Sequence, residues 1–179
     1  LSIATQWIEN PIDKEFDKQD SELKAFKRLT TKIKKEFPRL PLMLVLDGLY
    51  PNKPVFDICE NNNWSFIITL KDNSLKSVQE QISDKVFFKE YKTEEFINGS
   101  STYWYNESYQ ILEDIEYQKH KLFVIETIST EQHKKTKKTE QTRFVHITNI
   151  QTTTKNVRQL SQTGRARWKI ENEGFNDQK

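Results

Sequence analysis

The chain has a single cysteine, Cys59, among its 179 residues. One thiol cannot close an internal disulfide, and no paired-cysteine spacing offers a zinc site, so the sequence fits a reducing, cytosolic setting. No apolar run approaches the length of a bilayer span and no signal-peptide pattern opens the chain, which sets aside membrane and secreted readings. An excess of one charge is also lacking: 28 basic and 26 acidic residues leave a formal net charge of +2. A surface for a polyanion must therefore come from local clustering. Apolar residues make up only 35% of the chain and the mean hydropathy is −0.82, polar for one folded unit. There is neither an internal repeat nor a low-complexity tract.

What is present argues for a packed domain. The aromatic share of 12% is far from the composition of disordered chains. The length suits one core, or a core with a sizeable insertion. Basic residues do cluster: Lys24, Lys27, Arg28, Lys32, Lys34 and Lys35; Lys134, Lys135, Lys137 and Lys138; Arg158, Arg165, Arg167 and Lys169. A charge run alone is more often a solvated face than a binding site. The chain begins at Leu1 inside an apolar run and ends at Lys179 inside a helical pattern, and both ends read as cuts.

Leu1 to Ile8 reads as a strand, and Asn10 to Asp17 as a loop. From Lys18 to Phe37 the apolar residues Leu23, Phe26, Leu29, Ile33 and Phe37 recur at helical spacing, with Asp17 or Asp20 as cap and Pro38 as stop. Leu42 to Leu46 is continuously apolar, as for a strand buried on both faces. Pro54 to Asn61 predicts a short helix, Trp64 to Leu70 a second buried strand, and Ser74 to Gln81 another helix. The pattern then turns β-rich: Val86–Tyr91, Thr102–Tyr109, Gln110–Tyr117, Lys121–Thr130 and Arg143–Ile150 are short and aromatic or β-branched, with turns at Asn98-Gly99 and Lys134–Lys138. Helical spacing returns at Lys155–Leu160 and from Arg165 onward. The expected class is α/β, a mixed sheet flanked by helices with an antiparallel β insertion before the C-terminal helix. The expected units are a core over 1–82, the insertion over 83–150 and C-terminal helices over 151–179.

Two acids stand out. Asp47 directly follows a buried strand, at the sheet edge where α/β folds place their sites, although an Asp there also simply begins turns. Glu171 shares a helix face with Trp168 and Phe175 at about 100° per residue, while Glu173 falls nearly opposite. A carboxylate in an aromatic stripe needs a cation or hydrogen bonds, and Arg167, four residues earlier, is the simplest partner.

The sequence Arg167-Trp168-Lys169-Ile170-Glu171 resembles the Tyr-x2-Arg-x3-Glu-x6-Lys signature of bacterial DDE insertion-sequence transposases, and Leu44-Val45-Leu46-Asp47-Gly48-Leu49-Tyr50 resembles the strand that ends in their second catalytic Asp. Lys18 to Glu22, Ala25 to Leu29, Pro54 to Cys59 and Asn63-Trp64 are similar too, so the likeness runs over nearly the whole chain. The signature's Tyr falls at Gly164 and its Lys at Gln178, with Lys179 one place later. The resemblance implies an RNase H-like fold and a first catalytic Asp on a strand upstream of Leu1, so the chain alone is expected to be inactive.

It also implies the chemistry. These enzymes cut a phosphodiester with water and join the freed 3′-hydroxyl to a target, with two Mg²⁺ (or Mn²⁺) ions about 3.5–4 Å apart assisting entering and leaving oxygens. Such hard ions take carboxylate and water oxygens, so the scattered His120, His133 and His146 are not needed and, with Cys59, are assigned to structure. Asp47 and Glu171 are the implied catalytic metal ligands. Arg167, Lys71, Trp168 and Lys179 are the implied DNA contacts; Trp104 and Trp168 could stack on an unpaired base, though core packing is the commoner role of a Trp. The implied partners are duplex DNA, as terminal repeats and target, and a second copy in a homodimer, in the bacterial cytoplasm and on the nucleoid. The competing readings are a non-catalytic DNA-binding remnant and another RNase H-like nuclease.

Overall fold

The computed structural model describes residues 4–8, 18–87 and 91–174; the side chains of 18–21, 87 and 168–174 lie outside the described residues. Helical spacing is realised in α1 (Lys18–Glu36), which buries Ala25, Phe26, Thr30 and Ile33. Phe37 falls just past its end and is 38% exposed, so it closes no apolar stripe. Helix α2 (Lys53–Asn62) is well capped: the Asn52 side chain accepts from Val55 N, Pro54 sits in the first turn, and Asn63 adopts the left-handed conformation at φ 54°. Helix α3 spans Lys76–Phe87 and α4 spans Val157–Gly174.

The strands are β1 (Met43–Leu46), β2 (Ser65–Thr69), β3 (Lys92–Gly99), β4 (Tyr103–Tyr117), β5 (His120–His133) and β6 (Thr139–Thr148). They form one mixed six-stranded sheet in the order β1-β2-β6-β5-β4-β3. The β1–β2 pair is parallel and every other pair antiparallel. Strand alternation sorts the core into two layers. Phe66 and Ile68 of β2 and Leu70 just after it, with Leu112, Val124, Val145 and Ile147, pack against α1, α2 and α3. Ile67, Tyr109, Ile111 and Ile125 point the other way, onto Val157 and Leu160 of α4. Full burial of each such side chain contributes about 1.5–3 kcal/mol, which fixes α4 to its face of the sheet. This is a mixed sheet flanked by helices with a β-rich region before the C-terminal helix, consistent with the RNase H-like α/β expectation.

Several local expectations are corrected. Residues 4–8 are not a strand: they have no regular structure, Trp7 is 80% exposed, and its carbonyl accepts from Arg28 at 3.1 Å. Residues 1–3, and Asp17 as a cap, lie outside the described residues. Strand β1 is not buried on both faces: Met43 is 47% exposed and Leu44 to Leu46 are half-buried, and the strand lies at the edge of the described sheet. Val86 and Phe87 end α3, and the strand expected there begins only at Lys92. Asn98-Gly99 belongs to β3, and the hairpin turns over Ser100–Thr102, closed by Ser100 N donating to Tyr103 O at 2.9 Å. The two strands expected over 102–117 are one, and the two C-terminal helical patterns are the single helix α4. Backbone pairing with β5 runs unbroken through Tyr109 and Gln110, where the two expected strands would meet, and the buried Tyr109 keeps the alternation with Ile111. Among the described residues no helix is long and apolar enough to cross a membrane.

Candidate active site and nucleic-acid groove

The two parallel strands are short and stop together, whereas β6, β5, β4 and β3 run on past them. Asp47 follows the last residue of β1 at this step. Its Oδ1 accepts from Leu49 N at 2.9 Å, and Tyr50 N donates to its carbonyl at 3.2 Å, so a tight turn holds the carboxylate at the sheet's carboxyl edge. Lys71 follows the parallel neighbour, and its side chain crosses directly over Gly48: a Cβ at Gly48 would lie 2.6 Å from Lys71 Cγ and Cε. Glycine at 48 thus lets the lysine pass beside Asp47.

Helix α4 reaches the same corner from the far side of the sheet. Val157 and Leu160 pack on β4 and β5. One turn on, the buried Ser161 hydroxyl shares a 2.8 Å hydrogen bond with Thr127 of β5. Gly164 then lies against His146 of β6 and Ile67 of β2. Beyond it, Arg165 donates to Glu107 at 2.5 Å and stacks over Phe144. Arg167 comes within electrostatic reach of Tyr50. Burial raises the Tyr50 pKa, Asp47 and Glu22 add to the rise, and Arg167 opposes it. Asp47 and Arg167 thus act on the Tyr50 hydroxyl with opposite sign.

Between α4 and the ribbon formed by the outward extension of β3 to β6 lies a groove of about 1000 Å³, lined among others by Lys71, Arg143, Arg165, Arg167, Asp72 and Glu107. Four cations against two carboxylates give it a positive balance. Arg143 is held by Glu126 at 2.5 Å and Asp72 at 2.8 Å. Burial works against the Glu107 carboxylate, but hydrogen bonds from Tyr109 and Arg165 outweigh it and hold its pKa below the usual range. The Tyr109 hydroxyl is correspondingly raised, by burial first and then by Glu107. His146 lines the groove floor at 2% exposure; burial, with help from Arg165, pulls its pKa down to about 4, so the ring is neutral near pH 7.

Lys71, which crosses Gly48 next to Asp47, lines the same groove as Arg167, 96 positions later in the chain. Trp168 and Glu171 lie on α4, with Glu171 about 6 Å beyond Arg167 along the axis, but their side chains fall outside the described residues. Lys179 also lies outside them. Among the described residues no three His, Cys, Asp or Glu side chains cluster as a metal site. Trp104 is not a core residue: it is 50% exposed at the ribbon tip. His120 has the structural role expected of it, held between Asp57 and Glu60 at 3.0 Å each. Sequence reasoning did not single out Arg143 or Glu107, because their place in the groove depends on cross-strand register. Arg165 stood in a basic cluster but carried no sign of a carboxylate partner 58 residues away.

A family model described as "Transposase DDE domain" matches residues 9–173. No curated protein and no solved structure matches the chain. The match spans both the corner at Asp47 and the α4 segment carrying Arg167 and Glu171, over nearly the full length of the sequence. On that match, and with a mixed sheet and terminal helix of the expected kind, the chain belongs to the DDE transposase family.

Proposed function

We propose that this chain forms the catalytic domain of a transposase that cuts DNA at insertion-sequence ends and transfers the freed strand to a target. The supporting observation is that Lys71, beside Asp47 at the carboxyl edge of the sheet, lines with Arg167 one groove with excess positive charge. In this reading Asp47 and Glu171 are the catalytic carboxylates and Mg²⁺ or Mn²⁺ ligands. Their oxygens are the hard donors such ions prefer, and Asp47 is already oriented by the Leu49 N–H. Two bound ions would activate the entering oxygen and stabilise the leaving one.

The chain's own side chains do the rest. Lys71 supplies a point charge for a phosphate, and the Arg167 guanidinium can grip one through two parallel N–H groups. Trp168 and Lys179 extend the DNA contact. Arg143 and Arg165, held by carboxylates, shape the groove wall without needing to move. Helix α4 is locked to the sheet at Ser161 and Gly164, and in this reading Glu171, one turn past Arg167, would complete the site with Asp47. The partners are duplex DNA, as element ends and target, and a second copy of the protein on the paired ends, in the bacterial cytoplasm and on the nucleoid.

Binding of the 179-residue chain to a mixed-sequence duplex tests this reading. Affinity should fall steeply with salt, because phosphate contacts release counterions. Lys71→Glu and Arg167→Glu should each weaken binding at low salt. Absence of binding at low salt, or indifference to both reversals, refutes the assignment.

A further inference from the structure

The four strands that outrun β1 and β2 end in a tip with its own chemistry. Strand β6 pairs with β2 up to His146 and continues outward to Thr139, a projection of about 23 Å at 3.3 Å per residue. It points in the direction in which β1 runs toward Asp47, since β6 is antiparallel to β2 and β2 parallel to β1. At its end, the β5–β6 turn carries Lys134, Lys135, Lys137 and Lys138 within five positions. Lys138 is paired with Glu140 at 2.6 Å. Lys135 and Lys137 are exposed and have no carboxylate partner among the described residues.

Trp104 of β4 packs beside this turn. It faces Gly99 across the β3–β4 pair and lies over it, so that a Cβ on Gly99 would come within 2.6 Å of the indole. Lys134 Nζ sits 4.1 Å from the ring centroid and donates to Ser100 O. An indole with glycine backbone against it and an ammonium over its ring is a brace for that lysine. Thr136 N donates to His133 Nδ1 at 3.1 Å, and His133 stands edge-on to Tyr103, so the turn carrying the lysines is ordered from within.

We infer that this tip is a second DNA-backbone contact, gripping the phosphates of the same duplex that lies at the Asp47 corner. The inference rests on the reading given under Proposed function and adds a surface remote from the groove. Phosphate anions suit ammonium groups without carboxylate partners on an ordered turn, and the projection corresponds to about six or seven base pairs at 3.4 Å each. Trp104 acts by holding Lys134, with no base stacked on it.

The test is the salt dependence of binding of the 179-residue chain to a mixed-sequence duplex of about 24 base pairs, where each lost phosphate contact reduces the log–log slope by about 0.9. The double variant Lys135→Ala/Lys137→Ala should reduce the slope by about 2, with unchanged circular dichroism. Trp104→Ala should reduce it by about 1 and Trp104→Phe by less. The loss from the lysine pair should add to that from Lys71→Ala in a combined variant. If Lys71→Ala lowers the slope and the lysine pair does not, or if the losses fail to add, the tip is not a separate contact and the inference falls alone. If the parent chain does not bind at low salt, the underlying functional reading falls with it.

Discussion

Gly164 of α4 and His146 of β6 approach so closely that a Cβ on Gly164 would lie 2.6 Å from the imidazole Cδ2 and Nε2, and 3.0 Å from Ile67 Cγ2. The helix reaches the sheet only because that position has no side chain. This reverses a general expectation. In an open helix, Gly→Ala stabilises by about 1 kcal/mol. Here overpacking a buried ring costs about 1–3 kcal/mol, so Gly164→Ala should be neutral to destabilising by about 2 kcal/mol. Denaturant unfolding of the two proteins decides; a clear gain in stability would show that α4 is not seated on His146.

The same histidine predicts a pH dependence. Its folded pKa is about 4, against an ordinary value of 6.5. The unfolded chain therefore takes up a proton on His146 before the folded one does, and stability falls as pH drops from about 6.5 to 4, then levels for this group. The full difference is on the order of 3 kcal/mol. Melting temperatures should decline more steeply between pH 6.5 and 4.5 in the parent than in His146→Asn. Parallel declines would mean that the ring titrates normally in the fold.

Ser161 and Thr127 share a hydrogen bond with both residues fully buried. Removing one hydroxyl leaves the other desolvated without a partner, so Ser161→Ala should cost about 1–3 kcal/mol. Thr127→Val alone should cost a similar amount. The double variant should recover part of the loss, because two apolar groups leave nothing unsatisfied. Strictly additive losses in a double-mutant cycle would contradict the pairing.

Catalysis is tested by charge. In a protein that carries this chain together with a third carboxylate, Asp47→Asn and Glu171→Gln should each abolish Mg²⁺-dependent cleavage while leaving DNA binding nearly intact. Both changes keep side-chain size and remove the charge that offsets a divalent ion. Glu173→Gln should be close to silent, since two positions along a helix turn it about 200°. Loss of cleavage with Glu173→Gln alongside normal activity in Glu171→Gln would overturn the proposed register. The 179-residue chain by itself, offering Asp47 and Glu171, should bind DNA without cutting it; measurable nicking of supercoiled plasmid with Mg²⁺ would contradict that.

Much of this was legible in the sequence because it depends on local physics. Buried runs such as Ser65–Thr69 announce themselves by continuous hydrophobicity, and Pro54 marks the start of α2 through its fixed φ, while the Asn52 cap one position before the helix emerged only in the structure. An Asp directly after an apolar run, and a Glu one helical turn from an Arg, could be picked out without any coordinates. Where local pattern and tertiary context disagree, the pattern failed. The apolar run at Leu1–Ile8 does not make residues 4–8 a strand, because a strand exists only with a pairing partner, and Leu42–Leu46 looks central but lies at the edge of the described sheet. Composition could not decide that the β-rich segment would hydrogen-bond into the core sheet through β2 and β6, since register is set by pairs far apart in the chain. Nor could it show that Trp104 braces a lysine in the open, or that Gly164 is empty space required by a histidine. Those facts depend on which surfaces meet. In this protein the residue types were set by the sequence, and their place along one groove was set by a helix crossing the sheet.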